Sequence, residues 1–154
     1  MTLQDDVSLL RALPLFAGFN DEQLRLIAFS AEALSLPGGT TLFREGAPAE
    51  TAYIVVSGAV HFLKNGEEAG HDDVGPGGMI GEMALLCQTS RGVTAVTVGD
   101  SRFMVISRRL FRRVLMEYPE MAAGMRRTMA ERLTEMSADL ARARHALLSI
   151  GDDR

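Results

Sequence analysis

The amino-acid sequence predicts an α+β fold: a β-roll, or jelly-roll-like antiparallel β-sandwich, flanked by N-terminal helices and a long C-terminal helix. Three observations carry this expectation. Apolar residues recur at helical spacing through the first 31 positions. From Glu32 to Ser107 the texture changes to short apolar runs separated by glycines. After Ser107 helical spacing returns and holds to about Leu148. Helices, then many short strands, then helices describe an α+β domain rather than alternating β-α units. One domain over residues 1–154 is expected, with N-terminal helices over 1–31, the β-roll over 32–107 and C-terminal helices over 108–148.

The elements follow in order. Leu9, Leu10 and Leu13 mark a short amphipathic helix that Pro14 stops, because proline lacks the N–H and clashes with the preceding turn. Asn20 with Gln23 three residues on forms a capping box, and Leu24, Ile27 and Ala28 continue at helical spacing. The expected strands are Thr40–Phe43, Ala52–Val56, Ala59–Leu63, Gly92–Val98 and Arg102–Ile106. Asn65-Gly66 is a two-residue hairpin turn, since both residues accept positive φ. Gly75-Pro76-Gly77-Gly78 and Gly99-Asp100 are expected as further turns. Ser107 is suited to cap a helix through Tyr118. Pro119 suits the first position of a final helix.

Composition narrows the function. Sixteen basic and twenty acidic residues give a net charge of −4, which argues against a general polyanion binder and leaves room for a local basic pocket. The single cysteine, Cys87, forms no disulfide framework and suits a reducing, cytoplasmic setting. The start MTLQDDVSLL lacks the features of a signal peptide, and no apolar run is long enough for a membrane span. His61, His71 and His145 are scattered, so no metal site is expected. No nucleophile–base–orienter set is evident, so no catalysis and no cofactor are expected.

The stretch Gly81–Ala95, GEMALLCQTSRGVTA, carries the chemistry. A short helix is expected to begin at Glu82 or Met83, with unsatisfied N–H groups at its start that favour an anion. Arg91 returns after the loop Cys87–Ser90 and offers a planar fork of donors suited to phosphate. Glu82 supplies an acceptor suited to sugar hydroxyls. Two arrangements are open on this spacing alone. Glu82 and Arg91 form an ion pair that closes a surface loop, or they hold a ribose-phosphate ligand between them.

This stretch resembles the phosphate-binding cassette of the cyclic nucleotide-binding domain family, which reads roughly F-G-E-[LM]-A-L, a few variable residues, then P-R-[AT]-A. Here the residues are Ile80-Gly81-Glu82-Met83-Ala84-Leu85 and then Ser90-Arg91-Gly92-Val93. The resemblance extends to Leu13-Pro14-Leu15-Phe16, to GTTLFREG over 39–46, to AYIVVSG over 52–58 and to Gly75-Pro76-Gly77, all in the family's order.

It implies that Glu82 accepts from the ribose 2′-OH and that Arg91 binds the cyclic phosphate. Backbone N–H groups around Met83 and Ala84 would help, and Gly81 would allow close approach. Ser90 stands where the family has proline, and Gly92 where it has alanine or threonine. Threonine there is associated with guanine, so Gly92 favours cAMP over cGMP. Val93 replaces a smaller residue and narrows the pocket. These departures keep open a second reading, a cyclic nucleotide-binding fold that no longer binds nucleotide and serves as an interaction or dimerisation module.

Residues Arg127–Arg132 resemble the lid helix of bacterial cyclic nucleotide-regulated channels, which implies that Arg132 touches the purine. A solvated Arg132 paired with a nearby acid is the plainer reading. Phe62 is a second base wall or simply core. Met129, Leu133, Met136, Leu140, Ala143 and Leu147 follow a coiled-coil seam, which implies a homodimer or one face packed on the domain. The cluster Arg108-Arg109-Leu110-Phe111-Arg112-Arg113 reads as a solvated helix face or a contact for an acidic partner. Residues after the long helix are too few for a helix-turn-helix module, so direct DNA binding is not expected. The expectation is a stand-alone cytoplasmic sensor of cAMP, less readily of cGMP, that signals through its C-terminal helix to an unidentified protein effector.

Overall fold

The computed structural model describes residues 2–118 together with Arg127, Ala130 and Glu131, which are helical. The chain divides into two compact units, Met1–Glu117 and Tyr118–Arg154. In the first unit, helix α1 (Leu3–Arg11) begins with a capping box in which Thr2 and Asp5 exchange hydrogen bonds. Pro14 does not simply end it; it opens a 3-10 turn, Pro14–Phe16, that turns the chain toward α2 (Asp21–Ser30). The expected box at α2 is present, with Gln23 N–H donating to Asn20 Oδ1 at 2.9 Å and Asn20 N–H to Gln23 Oε1 at 2.7 Å. These caps satisfy donors that no helix can satisfy internally.

Eight strands follow: β1 (Glu32–Leu36), β2 (Thr41–Phe43), β3 (Pro48–Ala49), β4 (Thr51–Lys64), β5 (Glu67–Glu68), β6 (Met79–Ile80), β7 (Thr89–Ser90) and β8 (Thr94–Ser107). All the pairings are antiparallel. The main sheet runs β1-β8-β4-β5, with β2 also on β8 and β6 also on β4; β3 and β7 form a separate ribbon. Flanked by helices, this is the β-roll α+β fold that the sequence predicts.

Two boundaries differ from expectation. The runs 52–56 and 59–63 belong to one strand, β4, and the runs 92–98 and 102–106 largely to one strand, β8. Gly58 and Gly99 do not end strands but bend them. Both have positive φ, +85° and +69°, and the β4–β8 register shifts between Val55 and Ala59. A glycine in that conformation forms a bulge that increases local bend and twist. At Gly58 space matters as well, since a Cβ there would lie 2.7 Å from Ser101 Cα. On one side of the bend β8 pairs with β1, on the other with β2.

The turns match the sequence. Asn65 (φ +54°) and Gly66 (φ +79°) join β4 to β5. In Gly75–Gly78 the Gly78 N–H donates to Gly75 O at 3.1 Å, with Gly77 at φ +86°, a proline-then-glycine turn of type II.

Helix α3 (Met83–Leu86) interrupts the sheet, and α4 (Arg108–Glu117) follows β8 directly. Ser107 Oγ accepts from Leu110 N–H at 3.0 Å, as its capping role requires. Val55, Val60, Phe62, Ile80, Ala95 and Phe103 form the sheet core. A second apolar cluster joins the N-terminal helices to α4: Phe16 meets Phe19 and Phe111 edge-on at 5.2 and 6.0 Å, and Phe19 stacks on Phe111 at 6.1 Å. Aromatic pairs at such distances add to the burial of their area. Among the described residues, no helix is long and apolar enough to cross a membrane. Pro119, Arg132 and the seam from Met129 to Leu147 lie outside the described residues.

Candidate functional site

Sheet register brings the cassette to Arg91. Strand β6 pairs with the start of β4, Tyr53 opposite Ile80, and Gly81 just after it lies near Thr51 O. The ribbon of β3 and β7 then returns the chain from α3, with Ala49 opposite Thr89 and Pro48 opposite Ser90. Arg91 is anchored by its backbone on this side. Its N–H donates to Ala47 O at 2.8 Å, and its carbonyl accepts from Gly46 N–H at 2.7 Å.

The Arg91 side chain points inward and the residue is only 7% exposed. Nη2 donates to Thr51 O at 2.8 Å and to Thr51 Oγ1 at 3.2 Å. The guanidinium lies over the Phe43 ring, 4.3 Å from its centroid, and 5.6 Å from that of Tyr53. Stacking of this kind favours arginine over lysine. Nη1 packs against Gly81, where a Cβ would stand 2.4 Å away and 3.2 Å from Thr51 O. Gly81 also has φ +78°, so this position excludes a side chain on two counts.

This geometry answers the question the spacing left open. Among the described residues Arg91 makes no ion pair, so the loop is not closed by Glu82 and Arg91 joined together. Burial pushes the Arg91 pKa below its ordinary value, and Tyr53 acts weakly in the other direction. A guanidinium remains charged even so. A buried cation held by a carbonyl, a hydroxyl and two aromatic faces has donors left for an anion, and burial strengthens its attraction to one.

The other expected residues are placed as follows. Glu82 is half-buried at the N-cap of α3, in helical conformation. Met83 begins the helix and is half-buried; Ala84 is buried, and its N–H donates to Gly81 O at 3.0 Å. Gly92 is exposed, with open space where a Cβ would be. Val93 is half-buried and packs on the sheet core, as does Phe62, which is 8% exposed and meets His71 edge-on at 6.3 Å. Gly81 and Arg91 are thus brought into direct contact. Gly92 is set apart at the surface, and Arg132 lies outside the described residues. Cys87 ends α3 half-buried, its thiol toward Met83 O at 3.7 Å. Among the described residues no cluster of three His, Cys, Asp or Glu is suited to a metal ion.

Three residues beyond those expected shape the site: Phe43, Tyr53 and Thr51. Phe43 and Tyr53 stand inside the quoted runs GTTLFREG and AYIVVSG, and their alternation in β2 and β4 was the available signal. Thr51 gave none, because its role depends on pairing across 40 residues.

Residues 33–118 match the family described as the cyclic nucleotide-binding domain, and the chain belongs to that family. Domains of this family are regulatory rather than catalytic. The chain is similar to the cyclic AMP receptor protein of Thermus thermophilus, 28% identical over 134 residues, covering 85% of this chain and 62% of that protein. It therefore spans less than two thirds of that relative's length. Among solved structures it resembles a cyclic nucleotide-binding-like protein from Brucella abortus, with 44% identity and a TM-score of 0.67 over 73% of this chain and 98% of that one. It also resembles the regulatory domain of Toxoplasma gondii PKA, crystallised with cAMP, at 30% identity and a TM-score of 0.70, covering 82% and 48% respectively.

Proposed function

We propose that this chain is a cytoplasmic cAMP sensor, with cGMP a weaker ligand, whose C-terminal helices carry the signal to a partner protein. The observation that supports it best is Arg91, a buried guanidinium fixed in direction and without an anionic partner among the described residues. A cyclic phosphate supplies that anion. Glu82 holds the ribose 2′-OH, the backbone of Gly81, Met83 and Ala84 lies along the sugar-phosphate, and Gly92 and Val93 line the rim. Arg132 covers the base. The similar Toxoplasma domain was crystallised with cAMP, and the Thermus relative carries cyclic AMP in its name. Residues 1–154 act in this reading as one sensor domain. Dimerisation through the seam Met129–Leu147 is part of it.

Signalling requires that nucleotide favour one conformation of the domain over another. Calorimetric titration of the nucleotide-stripped protein with cAMP and with cGMP tests the proposal. Saturable binding with cAMP preferred supports it. No binding of either nucleotide overturns it and leaves the interaction module, whose mark is the combination of Ser90, Gly92 and Val93. Arg91→Ala is expected to lower cAMP affinity by about 2–5 kcal/mol, because a buried phosphate charge then has no partner. A loss below about tenfold removes Arg91 as the phosphate ligand. Arg132→Ala is expected to cost less and to leave the fold intact.

A further inference from the structure

We propose that the outer face of α4 lines a docking groove for a short acidic peptide segment of a partner protein. The inference goes beyond nucleotide sensing and stands without it. The groove has a volume of about 620 Å³ and lies within the first unit, between α4 and the link from β3 to β4. Arginines 108, 109, 112 and 113 line it with Met116, and Glu50 and Thr51 form the facing wall. Residues 81–84 and 91–93, where nucleotide is expected, are not among these walls.

Helical periodicity sorts the side chains of α4. Phe111 and Val114 are buried. Arg109, Arg112, Arg113 and Met116 stand at i, i+3, i+4 and i+7, on one face, and all are exposed, Met116 to 79%. Arg108 differs from its neighbours. It is half-buried, its Nη1 donates to Cys87 O at 2.9 Å, and its N–H donates to Glu50 O at 2.9 Å. These bonds hold the root of α4 against the facing wall, so the solvated face begins at Arg109.

That face is rich in unanswered charge. Among the described residues the guanidinium groups of Arg109, Arg112 and Arg113 make no ion pair and no hydrogen bond. Glu50 and Glu117 form no ion pair with them either. The first turn of α4 holds no acidic residue. Like charges three and four positions apart repel, so the free helix carries a small cost that carboxylates in the groove would turn into attraction.

Charge complementarity also selects the occupant. The four arginines are drawn from sixteen basic residues, against twenty acidic ones, so the rest of the chain is more acidic than the net charge of −4. A long polyanion such as nucleic acid would meet that acidic remainder. A short peptide needs only the groove. Guanidinium forks match carboxylates in a bidentate manner. The exposed thioether of Met116 adds an adaptable apolar contact at the far end of the stripe, suited to an aliphatic side chain of the peptide.

Fluorescence anisotropy on the full chain tests this. The probe is a short labelled peptide of aspartate and glutamate with one leucine near its end. Saturable binding is expected, and none for the same peptide with asparagine and glutamine in place of the acids. Combined Arg109→Gln, Arg112→Gln and Arg113→Gln is expected to weaken binding by about tenfold, and Met116→Ser by about threefold. Combined Arg25→Gln, Arg44→Gln and Arg102→Gln removes equal charge from exposed positions elsewhere and is expected to change binding by less than about twofold. No saturable binding overturns the proposal, as does an equal loss in the two triple variants. Tighter binding of a DNA oligonucleotide than of the peptide overturns it too. Circular dichroism checks the fold, and Arg112→Gln alone serves if the α4 triple variant does not fold. The α4 variant is expected to keep the cAMP affinity of the unaltered chain. Absence of cAMP binding in the unaltered chain defeats the sensor reading, while the peptide comparison still decides the groove.

Discussion

At Gly81 and Arg91 two residues of opposite size occupy one space. Arg91 Nη1 packs against Gly81 because no Cβ intervenes, while Thr51 accepts from Nη2 and the Phe43 ring lies under the guanidinium. Gly81→Ala adds a left-handed backbone cost of about 1–2 kcal/mol to the displacement of Arg91. It is expected to weaken cAMP binding by more than it lowers stability, which calorimetry and urea unfolding measured together will show. Gly92 is the opposite case, with open space around the missing Cβ. Gly92→Thr is expected to change stability by no more than about 0.5 kcal/mol. If the family association of threonine with guanine holds here, it shifts preference toward cGMP, read as the ratio of the two dissociation constants.

Among the elements, β4 bears a group sensitive to pH. His61 Nδ1 bonds to Asp73 and Nε2 lies 3.0 Å from a Glu68 carboxylate oxygen, while its neighbour across β8 is the uncharged Val96. The bond to Asp73, then that to Glu68, raises the His61 pKa above its ordinary value. A raised folded-state pKa means that the protonated form favours folding. Its contribution is complete below the unfolded value of about 6.5 and is lost as pH rises through the higher folded value. The urea midpoint is expected to fall as pH rises across that window, and His61→Gln is expected to flatten the dependence. The pair is exposed, so the effect is small and weakens with salt.

For the whole molecule, residues 33–118 match the cyclic nucleotide-binding family, while α1, α2 and the link between them, whose Phe16 and Phe19 meet Phe111 of α4, precede that span. Phe111 of α4 is held by Phe16 and Phe19, so movement of α4 has to carry or slide past the N-terminal helices. Assembly is a separate matter. If the seam from Met129 to Leu147 joins two chains, Leu133→Asp with Leu140→Asp is expected to give a monomer by light scattering, with cAMP binding per chain retained. An unchanged mass would assign that seam to the chain's own packing.

What the sequence determined by itself was local. The caps at Asn20 and Ser107, the Asn65-Gly66 turn and the cassette order Gly81-Glu82 to Arg91 were legible because each depends on residues within a few positions of one another. What only the tertiary structure decided was long-range. The glycines at 58 and 99 looked like strand ends, and pairing with a continuous partner strand turned them into bends. Glu82 and Arg91 looked equally able to pair, and the pairing of β3 with β7 instead delivered Arg91 to Thr51. Arg108 looked like one of four surface arginines until the end of α3 was set against it. A side chain's partners are chosen by which backbone groups the sheet register leaves within reach, and that register is set by burial summed over the whole sheet.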